Sequence, residues 1–456
     1  MTILLISSDS IDVKMAGPGI RYWEFANHLA KQHDVIVLMP NQSTLTHPKI
    51  QLIQQTRHTL LKALKQADVV VTQGFSYPLA PIVMMEKPLV VDLSFPLSVE
   101  LLEHHAHLPL QEANLSHRYC VERTKMLLRR GDYFLYSHEA LRDYWLGMLT
   151  AVNRLHPKQY RQDSNADRLF GCVPFGLPEE PPVQTRPVFK GDGAIFPQEN
   201  ISPETDTILL WGGGLWKWFD PRSLIRAMGE ISATRQDIKL LFICGKRVDS
   251  KEKQTNVAYS TDEAIELSRK LGVYNRTVFF NTGWVPYGDR GSYFREVQIG
   301  VSTHYRNLET RFSFRTRILD YLWAELPIIT TGGDALGELV EQEQLGVVVE
   351  PNSAWQLREA ILKLADDHEF AAQCRENIRR VRQQFLWSRL MKPLDEFCAS
   401  PYRTSRLTSF IKFCHLVKFY MTTAKILIQY RGYKKVLQKV KSKMQHEGGK
   451  CIHSSR

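Results

Sequence analysis

Two carboxylates and several cations stand among glycines in the second half of the chain. Asp320 falls inside the amphipathic segment R-T-R-I-L-D-Y-L-W-A, and Glu309 lies in the polar run N-L-E-T-R-F-S-F just before it. A half-buried acid on such a helix needs a partner, because an unpaired buried charge is costly. Arg315, Arg317 and Arg222 are structural candidates, and a ribose diol is the functional one. The run V-Q-I-G-V-S-T-H-Y before these residues reads as a strand, and P-I-I-T-T-G-G-D after them as the next. A loop at the carboxyl end of a strand, leading into a helix, is where open α/β sheets bind ligands. Backbone N–H groups at such a helix start favour anions, so the amides of Thr310, Arg311, Phe312 and Ser313 are donor-binding candidates.

Upstream, W-G-G-G-L-W-K-W-F-D again places glycines between a strand and a helix. Gly213 and Gly214 allow close approach of a ligand, Lys217 can meet a phosphate, and Trp216 or Trp218 can wall a ring. Lys246 and Arg247 end the following strand with two more cations. Lys217, Glu309 and Asp320 form the expected catalytic set, with Lys217, Lys246 and Arg247 meeting negative charge on a leaving group.

The first half holds M-A-G-P-G-I-R after its first apolar run, so Gly17 and Gly19 are a second phosphate- or sugar-approach loop. A dinucleotide fingerprint is incomplete there: no third Gly follows Gly19, and the second strand ends Met39-Pro40-Asn41 without an acid. Nicotinamide and flavin chemistry are disfavoured. Asp92, Glu100 and His138 follow later strands and should face the same cleft from the acceptor side. His104, His105 and His107 lack the spacing of a zinc helix and read as surface or acceptor-side histidines. No D-x-D occurs, so neither a metal-bridged diphosphate nor any other cofactor is expected.

Short apolar runs alternating with amphipathic stretches must position these groups, which predicts parallel sheets with helices on both faces. Strands are expected at Ile3–Ser7, Asp34–Met39, Val69–Thr72, Leu89–Leu93 and Tyr133–Ser137, with helices over Ile20–Gln32, Leu60–Ala67 and Val99–Arg130. Pro and Gly cluster around V-P-F-G-L-P-E-E-P-P and K-G-D-G, after which the pattern restarts at Thr207–Trp211. Asp220 and Pro221 then read as the N-cap and first position of a helix. The reading is α/β, with two doubly wound domains facing across a cleft. Residues 1–185 form the acceptor domain, 186–205 a linker and 206–385 the donor domain, while 386–400, with Trp387, cross back and 401–456 form a tail.

The 456 residues suffice for two or three cores. Hydrophobic content of 43% and charged content of 23% are those of an ordinary globular chain. The net charge of +11 is local: from Tyr402 onward stand 13 Lys or Arg against one acid, Glu447. A body without excess positive charge argues against nucleic-acid binding. The tail reads as a helix with His415, Lys418, Thr422, Lys425 and Gln429 on one face and Phe413, Leu416, Val417, Tyr420, Met421, Ala424, Leu427 and Ile428 on the other. With the lysines that follow, residues 405–443 suit an anionic membrane surface or, alternatively, packing on the body. The seven scattered Cys suggest a reducing cytosol, and the apolar start T-I-L-L-I reads as a strand rather than a signal peptide.

Taken together, M-A-G-P-G-I-R-Y-W-E-F, W-G-G-G-L-W-K-W-F-D-P, F-F-N-T-G-W-V-P and E-T-R-F-S-F-R-T-R-I-L-D-Y-L-W-A-E-L-P make residues 1–400 resemble a family 4 glycosyltransferase of the GT-B fold. The resemblance implies transfer of a sugar from a nucleotide donor with retention of configuration and without an essential metal. It places Gly17 and Gly19 in the family's N-terminal glycine loop and Asp320 at the ribose-binding position. The chain departs from the family's paired glutamates: Phe312 stands eight positions before Asp320, and Glu309 is the nearest acid. Gly213-Gly214-Leu215-Trp216-Lys217 also replaces the usual Gly-Arg-Leu and Lys diphosphate cations. These departures resemble a subgroup of cell-surface polysaccharide transferases, which implies a saccharide or lipid-linked acceptor at the inner face of the cell membrane. The alternative is a catalytically silent subunit that binds a sugar nucleotide within an assembly. An epimerase on the same fold lacks a visible acid/base set.

Overall fold

The computed structural model describes residues 1–73, 78–244, 257–405 and 407–431. Its strands form two all-parallel sheets. The first comprises β1 Thr2–Ile6, β2 Asp34–Met39, β3 Ile50–Gln54, β4 Val69–Thr72, β5 Leu89–Asp92, β6 Tyr133–Tyr136 and β7 Phe170–Cys172, in the order β3-β2-β1-β4-β5-β6-β7. The second comprises β8 Thr207–Gly212, β9 Ile238–Ile243, β10 Val278–Asn281, β11 Ile299–Ser302, β12 Ile328–Thr331 and β13 Gly346–Val349, in the order β10-β9-β8-β11-β12-β13.

Continuous apolar runs fit strands covered on both faces. Along β1, Ile3 and Leu5 enter one apolar cluster and Leu4 and Ile6 the other, as alternation of side chains across a strand requires. Both sheets reverse direction of growth beside their first strand, between β1 and β4 and between β8 and β11. Ligands bind at such a switch point, outside the carboxyl ends of the strands. The segments leaving β1 and β8 are the two glycine loops.

Local chemistry sets the element ends. Asp220 accepts from the Ser223 N–H at 3.0 Å and caps the helix Pro221–Ile231. The first helix spans Gly17–Leu29, starting earlier than the apolar pattern suggests because Pro18 fits a first turn. The long helical stretch expected from Val99 to Arg130 is two helices, Leu97–His104 and Leu110–Arg130, with Pro109 immediately before the second. The edge strand β3 and the short β7 carry too little apolar alternation to stand out in the sequence.

Residues 186–205 are not a bare tether. Arg186 pairs with Asp289 at 2.7 Å, the Val188 N–H donates to Glu296 at 2.8 Å, and Val188, Phe189 and Ile201 are buried in the large cluster. At the far end the chain returns to the first sheet. Trp387 packs edge-on against Phe25 at 5.9 Å and covers Gly176, where an added Cβ would sit 2.6 Å from the indole. Phe397 stacks on Tyr133 at 4.7 Å.

The last described helix, Ser409–Arg431, lies along the helices Leu110–Arg130 and Leu79–Met84. It buries Leu416, Phe419 and Ile426, and Lys412, fully buried, donates to Glu86 at 2.7 Å and to the Met85 carbonyl at 3.2 Å. The expected division into one polar and one apolar face is therefore corrected. Packing takes a narrow stripe, and a second apolar stripe faces outward, with Phe410 74% and Met421 67% exposed. No described helix is long and apolar enough to cross a membrane. The lysines at 434–443 lie outside the described residues.

Candidate active site

The glycine loop after β8 and the helix Thr316–Trp323 are bonded to each other at the carboxyl end of the second sheet. The Tyr321 hydroxyl accepts from the Gly212 N–H at 3.0 Å and reaches the carbonyls of Val301 and Leu210 at 2.7 and 2.9 Å. Its ring covers Gly300, where any Cβ would collide with it. Gly213 adopts φ +121°, a left-handed conformation open to glycine. Arg317 then crosses over the loop: its Nη2 donates to the Gly214 carbonyl at 2.9 Å, and its guanidinium lies between the rings of Trp211 and Phe219, at 4.3 and 4.0 Å. Burial lowers its pKa to about 10, which leaves it charged at neutral pH. Among the described residues its buried Nη1 has no hydrogen-bond partner, which leaves a buried cationic donor beside the glycine loop.

Asp320, the fifth residue of that helix, is ion-paired to Arg290 at 3.0 Å, and 30% of its side chain stays exposed. The partner corrects the expected Arg315, Arg317 or Arg222. Arg290 comes from the short segment after β10, which has no periodicity for a sequence to display. Burial raises the Asp320 carboxyl pKa, while Arg290 and Arg317 pull it back.

The expected amide cradle at 310–313 is corrected. Asn307 caps the short helix Leu308–Phe312 by accepting from the Thr310 N–H at 3.0 Å, and the Ser313 N–H turns back to the Thr310 carbonyl at 3.3 Å. Those two N–H groups are already used. Phe312 packs instead on Tyr144 of the first domain at 5.2 Å, and Arg311 is exposed.

Glu309 is 3% exposed and locked in a bidentate pair with Arg315, at 2.9 and 2.6 Å. Arg315 also lies 3.3 Å from Asp334, and Asp334 is 3.1 Å from His304. Burial opposes charge on Asp334, yet the His304 bond and the Arg315 charge hold its pKa below the usual carboxylate value. Glu309, expected as a catalytic acid in the loop, thus belongs to a buried charge network with both oxygens bound by Arg315. His304, Arg315 and Asp334 have adjacent strand and loop positions but no spacing that joins them in sequence.

Of the acceptor-side residues, Asp92 is corrected outright. Both its oxygens are taken by Arg21, at 2.8 and 3.1 Å, and by Ser94, inside the first domain. Arg21 also donates to the Val173 and Pro174 carbonyls, so this pair holds the exit of β7. Glu100 lies within electrostatic reach of Glu309 in the second domain. Burial, and then the charge of Glu309 opposite, push its carboxyl up to about 7. His138 stacks on Phe314 of the second domain with ring centres 6.0 Å apart, and burial lowers its pKa. His104 adds a third crossing, 5.5 Å from Trp216, which is itself stacked on Trp218 at 5.5 Å.

Gly19 sits tight against the Ser10 carbonyl, so no side chain fits there, whereas a Cβ at Gly17 would meet open space. Lys217 is half-buried at the end of the glycine loop. Lys246 and Arg247 lie outside the described residues.

Two doubly wound domains with glycine loops, an acid and a buried cation at facing strand ends define the GT-B architecture. Residues 206–367 match the family model for group 1 glycosyl transferases. The chain superposes on sucrose-phosphate synthase from Thermosynechococcus elongatus with a TM-score of 0.57 at 16% identity, covering 88% of this chain and 98% of that one. For HepE of Anabaena in complex with UDP-glucose the TM-score is 0.59 at 13% identity, over 88% of this chain and 100% of that one. For WaaG, a glycosyltransferase of lipopolysaccharide biosynthesis, it is 0.57 at 17%, over 87% and 99%. The sequence matches no curated protein. The structural likenesses show the fold, and the family match supplies the chemistry: the chain is a glycosyltransferase with a group 1 domain.

Proposed function

We propose that this enzyme transfers a sugar, with retention, from a UDP-type donor to a saccharide or lipid-linked acceptor in cell-surface polysaccharide synthesis, while resting on an anionic membrane surface. The observation that carries the donor site is Arg317. Its buried guanidinium joins the Gly213–Gly214 loop to the helix that holds Asp320. In this reading the diphosphate lies along the glycine loop against Arg317 and the N-terminus of Thr316–Trp323, with Lys217 near. The partly exposed Asp320 takes the ribose diol.

The bond from the anomeric carbon to the phosphate oxygen breaks as the acceptor oxygen bonds to that carbon from the same face. The acceptor proton passes to the departing phosphate oxygen. Catalysis then consists of stabilising the leaving charge and excluding water. The protein supplies the positive charge, and no cofactor enters. UDP stands in the donor because neighbours of this fold are complexed with UDP-sugars. The basic tail and the exposed apolar stripe of its helix support the membrane surface.

A panel of UDP-sugars, with release of UDP as readout, tests the donor site. Asp320→Ala is expected to weaken UDP binding by about 1–3 kcal/mol, the loss of a charge-assisted hydrogen bond. Arg317→Ala is expected to lower kcat roughly 10²- to 10³-fold. Unchanged UDP affinity in Asp320→Ala would sink the ribose assignment. Absence of turnover in the wild type with every donor, despite UDP binding, would favour a silent binding subunit.

A further inference from the structure

A chain of hydrogen bonds leaves the donor carboxylate and ends in the opposite domain. Asp320 Oδ1 accepts from Arg290 Nη1 at 3.0 Å, and Arg290 Nη2 donates to the Tyr287 hydroxyl at 3.1 Å. That hydroxyl donates to Glu24 Oε1 at 2.9 Å. Glu24 belongs to Gly17–Leu29, the first-domain helix that begins at the N-terminal glycine loop. Tyr287 is tied to the same region a second time, since its backbone N–H donates to the Val13 carbonyl at 3.0 Å. The Arg290 guanidinium lies over the faces of Tyr287 and Trp323, at 4.1 and 4.6 Å, so its fork is held in place rather than swinging in solvent.

We propose that Arg290, Tyr287 and Glu24 are positioning residues for sugar transfer: they aim Asp320 at the donor ribose and set the first domain's glycine-loop helix against the bound donor. The proposal rests on the donor reading of Asp320 given above. None of the three touches the reacting atoms. Arg290 fixes one oxygen of Asp320 and leaves the other side of the carboxylate for the diol. Tyr287 joins the domains, with its main chain on one strand-end loop of the first domain and its hydroxyl on the helix that follows. Glu24 is the anchor: burial raises its carboxyl pKa, while the Tyr287 hydrogen bond and the charges of Arg290 and Lys31 pull it back. A nucleotide seated on Asp320 is thereby placed relative to Gly17 and Gly19 through three consecutive hydrogen bonds. The nucleotide can bind the second domain without this register, but the sugar and acceptor cannot align without it.

The test uses Glu24→Gln and Tyr287→Phe in the full chain, with UDP as the binding probe and the most active UDP-sugar as donor. UDP affinity is expected to stay within about threefold of wild type while kcat falls roughly 10- to 100-fold, the cost of a misplaced reacting pair. Either kcat within about twofold of wild type, or equal losses in UDP affinity and kcat, would overturn the proposal. Hydrogen exchange of residues 13–24 without ligand gives a second readout. It should rise in Glu24→Gln, and unchanged exchange also overturns the proposal. If Asp320→Ala keeps full UDP affinity, the donor reading itself fails, and exchange in Glu24→Gln then judges the link between the domains alone.

Discussion

Glu100 and Glu309 face each other from opposite domains with Arg315 as the nearby cation, and one positive charge cannot fully serve both. Arg315 is already bidentate on Glu309 and close to Asp334, so burial, with the Glu309 charge adding to it, pushes the Glu100 carboxyl up to about 7. The unfolded chain releases this proton near 4.5 and the folded chain near 7. Between those values the native state holds more protons, so stability falls as pH rises through the window and levels off above it. Glu100→Gln removes the dependence. Thermal or denaturant unfolding should show it roughly 1–3 kcal/mol more stable than wild type at pH 8 and nearly equal at pH 4.5. A pH-independent difference would mean that burial beside Glu309 does not raise the Glu100 carboxyl. Sequence made the acids visible but not their debts. Asp320 stood out because a charge interrupts an apolar helix face, while Arg290, its partner, sits in Y-G-D-R, where nothing in the pattern marks a salt bridge. Asp92 looked like Glu100, each following the same strand, and Arg21 on a distant helix decides between them.

Helices and loops at the switch points carried more information than single residues. Glycine after β8, Asp220 with Pro221, and the apolar rows of β1, β4 and β5 follow from local sterics and two-sided burial, which a sequence states directly. The 310–313 turn does not, because the capping of Thr310 by Asn307 and the return of the Ser313 N–H to Thr310 depend on the folded loop. The helix Ser409–Arg431 shows the same limit. Its residues offer two apolar stripes, and the choice between them is made by the surface of the helices Leu110–Arg130 and Leu79–Met84. Phe419, 4% exposed and 6.1 Å from Tyr119, belongs to the packed stripe. Phe419→Ala is expected to cost about 3 kcal/mol in that docking. Hydrogen exchange would read it as faster exchange confined to Leu416–Ile426, with UDP affinity retained. Unchanged protection there would show that another stripe holds the helix.

At the scale of the molecule, the excess positive charge belongs to the sequence from Tyr402 onward, which includes the docked helix. The first domain, which receives the acceptor in the proposed reaction, also carries the docked helix. Phe410, Phe413, Val417, Tyr420 and Met421 point away from it. A soluble surface seldom leaves so many large apolar groups on one stripe without use. Removing the whole tail would be a poor test of membrane binding, since it would also expose the Lys412–Glu86 contact and the apolar bed beneath Leu416 and Phe419. Phe413→Glu with Met421→Glu changes exposed positions alone. Burying two carboxylates in the headgroup boundary is unfavourable, and they also repel anionic lipid. Co-sedimentation with vesicles rich in phosphatidylglycerol is expected to fall at least tenfold in this double variant, about 1.4 kcal/mol or more. Turnover with a soluble acceptor should stay at the wild-type value. Wild-type binding should weaken as salt rises, because the lysine charge acts within a Debye length of the surface. Equal sedimentation of both proteins would assign the outward stripe to a protein partner and remove the bilayer from the account of this enzyme.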